Sequence, residues 1–394
     1  MISNPFLGLI FHWFGGLASA SFYLPFRGVK KWAWETYWLV GGVFSWILAP
    51  WFFALLMTND LFGVLREAQP STLFWTFFFG LLWGTGGLTY GLTMRYLGIS
   101  LGIAVALGFC AAFGTLVPPI YDALFVPQSP SLSQVFGTNS GMVILVGVIV
   151  CFTGIGVSGM AGMTKEREMT DEQKRAIIKE FNFRKGILVA TFCGVMSACF
   201  SFGLHAGEPI KAITISHGTD AKMAGLPVLV VLLLGGFTTN FIWCVILHVR
   251  NRTGGQYFSS KALGSGSGPI LENAIDATGE EMARGAQLNL SEPAQVPMAL
   301  NYLFCGIAGV TWYFQFFFYT MGESQMGQYK FSSWSLHMAS IIIFGTLWGI
   351  FLKEWRGAGR SAMNFLFLSL AVLVGSTIII GYGNYLATLI PKSL

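Results

Sequence analysis

Apolar residues run through the chain in blocks long enough to cross a bilayer. A spanning helix needs about 20 of them, and ten blocks qualify: 5–26, 36–58, 72–94, 98–119, 140–163, 186–207, 224–248, 298–321, 332–352 and 362–386. Two of the polar breaks stand out, Lys165–Lys185 and Arg250–Pro297. Barrel strands would be about half as long and would alternate residue by residue, so the blocks predict helices. The expected fold is an all-α integral membrane protein of ten transmembrane helices.

The chain writes one stretch twice. Phe14–Phe22 (FGGLASASF) returns as Phe192–Phe200 (FCGVMSACF), displaced by 178 positions, with five of nine residues identical. Each copy opens a run of five apolar blocks. An odd number of helices per half inverts the second half relative to the first, a recurrent device for alternating access. The expected organisation is therefore a first five-helix half over 1–163, a charged cytoplasmic linker over 164–185, and a second half over 186–394 with a long cytoplasmic loop at 250–297. In the linker, Thr170 and Gln173 have the spacing of a capping box that opens a short surface helix. The long loop holds a flexible Gly264–Gly268 hinge and then the acidic residues Glu272, Asp276, Glu280 and Glu281, and reads as a tolerated insertion.

Composition agrees with the blocks. The chain is 54% apolar and only 10% charged over 394 residues, too few charges to cover a water-soluble surface. No cleavable leader is expected, because no Lys or Arg precedes the first block. By sequence, loops after the odd-numbered helices carry 18 of the 23 Lys and Arg residues. The positive-inside rule then predicts both termini in the periplasm, if the membrane is a bacterial inner membrane. The six cysteines all fall inside apolar blocks, with no spacing that suggests a disulfide framework, a metal site or another cofactor.

Candidate chemistry sits on a few polar side chains within the blocks. His12, Ser19 and Tyr23 share one stripe of the first helix, and Ser197 repeats Ser19 in the second copy. Trp312, Gln315 and Tyr319 share a face of the eighth helix, while Trp83 falls near mid-depth of the third. Glycines at 80, 84, 87 and 91 give that third helix a small-residue seam for packing. Flat rings with amide and hydroxyl hydrogen bonders, and no Lys or Arg at depth, suit a neutral polyol. Trp83, Trp312, Gln315, Tyr319, Ser19 and Ser197 are therefore the candidate sugar-binding set; interhelical hydrogen bonding is the competing role for Ser19 and Tyr23. For a coupled proton the candidates are His337 and His12, because histidine titrates near neutrality. Glu35, at an inner helix end beside Lys30 and Lys31, is the rival as an inner gate. No carboxylate pair, nucleophile–base set or phosphate-cradling loop is present, so an enzyme is not expected, nor a nucleic-acid partner.

Several stretches resemble one family. Ser21–Phe26 running into Lys30–Glu35, Tyr90–Gly98, Gln315–Tyr319, Trp334–Met338 and Leu352–Trp355 are similar to signatures of the bacterial L-rhamnose–proton symporters, from the first helix to the last. The resemblance implies membership of the drug/metabolite transporter superfamily, ten helices in two inverted halves, and proton-driven uptake of L-rhamnose, a 6-deoxyhexose. The longer 250–297 loop and the segment His205–Pro209 depart from that pattern, which leaves a related sugar open as substrate. An exporter or exchanger of the same fold for another small neutral solute is the alternative. Oligomeric state is not legible in the sequence.

Overall fold

A computed structural model describes residues 3–97, 99–126, 131–168, 182–260 and 295–389. Helices carry the fold and no strand forms among these residues. The long helices are α1 (Pro5–Ser21), α2 (Trp34–Met57), α3 (Pro70–Leu97), α4 (Ile99–Phe125), α5 (Asn139–Glu168), α6 (Phe183–Ala206), α7 (Leu226–Asn251), α8 (Met298–Glu323), α9 (Ser332–Phe351) and α10 (Arg360–Leu389). Nine helical stretches among the described residues are long and apolar enough to cross a membrane, and the chain is a multi-pass membrane protein. α3 is not among the nine, although it runs for 28 residues. Its tryptophans, tyrosines, threonines and glycines dilute the apolar run.

Local chemistry explains where these helices begin and bend. Asn4 caps α1, its Oδ1 accepting from Leu7 N at 3.2 Å, with Pro5 at the first helical position, where no N–H is needed. In α2, Pro50 removes a backbone donor, and the turn before it, Val43–Leu48, widens into a π-helix. In α4, the Pro118–Pro119 pair does not end the helix at 119, as the sequence predicts; it continues to Phe125. The Gly114 carbonyl, which Pro118 cannot bond, accepts from Ser201 Oγ of α6 at 2.8 Å.

Packing follows glycine seams. α1 packs against α8 and α9, and α6 against α3 and α4, while α5 and α10 lie along each other with the most extensive contact. Gly15 of α1 sits against the Gln315 carbonyl of α8, and Gly16 against Ser340 of α9. Gly194 of α6 sits in the same way against Phe109 of α4. The seam on α3 divides: Gly80 and Gly84 abut α7, whereas a Cβ at Gly87 or Gly91 would meet nothing within 4 Å.

Residues near both ends of the described chain gather on one face, here the terminal face, where Asn4 N donates to Gln325 and Phe6 contacts Tyr385. On the opposite face Lys30 pairs with Asn301 through two hydrogen bonds, and Gly359 N donates to Glu168 at 2.6 Å. Thr170, Gln173, the Gly264–Gly268 hinge and the acidic stretch lie outside the described residues.

Candidate functional site

A cavity of about 520 Å³ occupies the middle of the bundle and takes lining residues from α1 to α9. Along α9 its lining runs from Trp334 to Gly349, about 22 Å at 1.5 Å per residue, and on past the helix end to Leu352 and Glu354. At the opposite face it ends among Arg27, Lys165, Glu354 and Trp355. There Arg27 lies 3.6 Å from Glu354, and Lys165 donates to the Glu354 carbonyl. Toward the terminal face it stops at Phe316, Trp334 and His337.

The deep end is aromatic and held in place from behind. Trp334 donates from Nε1 to the Cys110 carbonyl at 2.9 Å, and Phe200 stacks between Trp334 and Phe316, 4.4 Å from the latter. Trp83 meets Phe316 edge-on at 5.5 Å. The π turn of α2 brings Trp46 to the same space.

Five residues of the lining carry a buried polar atom with no protein partner: Trp312 Nε1, Gln315 Nε2, His337 Nδ1, Trp46 Nε1 and, nearer the opposite face, Trp34 Nε1. Buried polar groups are nearly always hydrogen-bonded, so a lining with five unsatisfied groups suits a polar guest. The charged residues of the lining lie at the opposite face, and the deep end holds none.

Of the residues singled out in the sequence, Ser19, Trp83, Ser197, Trp312, Gln315 and His337 line this one cavity. Tyr319 and His12 do not. They form a layer behind it, where Tyr319 stands 5.2 Å from the His337 ring and 5.3 Å from the His12 ring, and both His12 nitrogens are unpartnered. Glu35 is elsewhere, buried at the opposite face, where its Oε1 accepts from Thr253 at 2.6 Å and Asn251 at 3.0 Å. It does not pair with Lys30 or Lys31. Sequence reasoning missed Trp34, Trp38, Trp46 and Asn240. Asn240, which accepts from Trp38 Nε1 at 3.0 Å, was visible as a lone amide in an apolar block.

The family model for the L-rhamnose-proton symport protein (RhaT) matches residues 1–279 and 277–386. The chain belongs to that family. Curated relatives include the L-rhamnose-proton symporters of Klebsiella pneumoniae (strain 342) and Salmonella gallinarum, each 35% identical over 378 residues, 96% of this chain and 97% of the relative. That of Shigella sonnei is 34% identical over the same share. The family match extends over both runs of helices.

Proposed function

We propose that this symport-family member takes up L-rhamnose together with protons, by alternating access to the central cavity. The observation that carries this reading is the deep end of that cavity. Trp312, Gln315 and Trp46, each with an unpartnered N–H, line it among flat aromatic faces, with no fixed charge. A neutral polyol ring offers acceptors to those donors and an apolar face to the rings, whereas an anion would need a cation at depth. Ser19 of α1 and Ser197 of α6 also line the cavity. The relatives' names supply the particular sugar and the coupled ion.

Coupling falls to the histidine layer. His337 borders the cavity and His12 stands behind it, with Tyr319 in contact with both rings. A proton on His337 would give the sugar a charged donor, and sugar hydroxyls would stabilise that charge in return, which is reciprocal coupling. Glu35 is the less favoured coupling group because it lies outside the cavity.

Ten spans in two inverted halves are the architecture this reading needs. Supporting it, residues 178 positions apart behave alike: Gly16 seats α1 on α9 and Gly194 seats α6 on α4, and Ser19 and Ser197 both reach the cavity. The Lys and Arg distribution favours a cytoplasmic opposite face and a periplasmic terminal face in a bacterial inner membrane. The cavity, which reaches Arg27 and Glu354, then faces inward. Proteoliposomes of the full chain test the reading: an imposed inward proton gradient should drive accumulation of labelled L-rhamnose, and a protonophore should abolish it. Accumulation indifferent to the protonophore would reject proton coupling.

A further inference from the structure

Between the histidine layer and the terminal face lies an ion cluster, buried at Lys211 and Glu323 and open to solvent at Glu208 and Lys330. Lys211, on the short helix Glu208–Ser216, donates to Glu323 Oε2 at the end of α8 and to Glu208 Oε1 at 2.8 Å. Glu208 also accepts from Lys330 at 3.1 Å. Lys211 and Glu323 are each 8% exposed. Two lysines face two carboxylates, so the cluster is neutral as it stands.

Glu323 also continues the stripe that leads to the cavity. Gln315, Tyr319 and Glu323 recur every four residues on α8 and so share one face. Gly322 backs onto His12, whose Nε2 would lie 2.8 Å from a Cβ there. Glu323 is thus the next polar group beyond the His12–Tyr319–His337 layer on the face of α8 that carries Gln315.

At this position a proton and Lys211 compete for one carboxylate. Protonating Glu323 with Lys211 docked would leave a buried cluster with surplus positive charge; withdrawing Lys211 would leave a buried carboxylate unpaired, which a proton relieves. We infer that Glu323 is the outer proton-loading group of the transport cycle, with Lys211 as its competitor. With the outer entrance open, Lys211 is withdrawn and Glu323 takes a proton from the periplasm. As the entrance closes, Lys211 docks and the Glu323 O–H bond breaks. The proton forms an N–H bond on an imidazole of the layer, and the carboxylate left behind is balanced by the lysine. This rests on the proton-coupled reading above.

Proteoliposomes of the full chain carrying Glu323→Gln test it. Rhamnose counterflow, which needs no net proton movement, should stay within about twofold of wild type, while gradient-driven accumulation falls about tenfold or more. In Lys211→Gln the carboxylate left when the proton moves on has no lysine to balance it, so gradient-driven accumulation should also fall about tenfold while counterflow stays within about twofold of wild type. Wild-type proton movement with rhamnose in Glu323→Gln would overturn the inference and leave the symport reading standing. No proton movement in wild type would defeat the symport reading first. If Glu323→Gln fails to reach the membrane, Lys211→Gln decides, and wild-type gradient-driven accumulation in that variant overturns the inference.

Discussion

Arg27 and His205 lie 178 positions apart, and each reaches a carboxylate near the end of another helix: Arg27 to Glu354 at 3.6 Å, His205 to Asp122 at 2.9 Å. The first contact lies beyond the opposite-face end of α1, beside the end of α9. The second ties the terminal-face end of α6 to that of α4. The cavity reaches the first and not the second.

This pairing makes a prediction about access. Both contacts are partly exposed, so each contributes only about 0.5–1 kcal/mol, a two- to fivefold shift in population. A cysteine at Gly87, whose Cβ has open space in the cavity, reports access without a clash. In Gly87→Cys, adding Asp122→Asn should raise labelling by an impermeant maleimide applied from the terminal-face side by that factor, whereas adding Glu354→Gln should not. Equal labelling in both would show that the His205–Asp122 contact takes no part in closure.

Gln315 should matter for binding and not for folding. Its Nε2 has no protein partner to lose, and one hydrogen bond to a ligand is worth about 1 kcal/mol. Gln315→Ala should weaken rhamnose binding five- to tenfold, roughly, with an unchanged amount of protein in the membrane. Titration of purified protein checks this.

The α3 glycines should separate packing from cavity shape. A Cβ at Gly80 would collide with the Leu232 backbone carbonyl of α7, which cannot swing aside as a side chain can. Gly80→Ala should therefore cost about 1–3 kcal/mol and lower the thermal midpoint in detergent. Gly87→Ala meets nothing within 4 Å and should leave that midpoint unchanged.

On the terminal-face surface, His217 donates toward Glu67 at 3.0 Å and lies 3.4 Å from Asp60, joining the α6–α7 connection to the helix that follows α2. The hydrogen bond to Glu67 raises its pKa above the ordinary histidine value. A raised folded-state pKa contributes stability below about pH 6.5 that is lost as pH rises through the folded value. His217→Gln should accordingly lower the thermal midpoint more at about pH 5.5 than at about pH 8.5. Equal effects at both would mean that the clamp does not depend on charge.

The helices were legible because each needs only its own residues. Block 5–26 became Pro5–Phe26 and block 140–163 became Asn139–Glu168. α4 outran its block because proline is tolerated where a neighbour takes up the freed carbonyl, and Ser201 is 87 residues away. The site was legible as far as helix faces go: Trp312, Gln315 and Tyr319 do share one. Depth divided them, since one turn carries Tyr319 past the Phe316–Trp334 plug and beside His12. Glu35 was read by its neighbours Lys30 and Lys31, but its partners Asn251 and Thr253 lie more than 200 positions away. No local pattern encodes such a contact.

The coupled proton is the centre of the account, and one measurement reaches it most directly. L-Rhamnose is added to de-energised cells that express the chain, and external pH is followed. Wild type should alkalinise the medium as sugar enters, and His337→Gln should not, while still exchanging labelled rhamnose. Rhamnose entry in wild type with no change in external pH would contradict proton coupling.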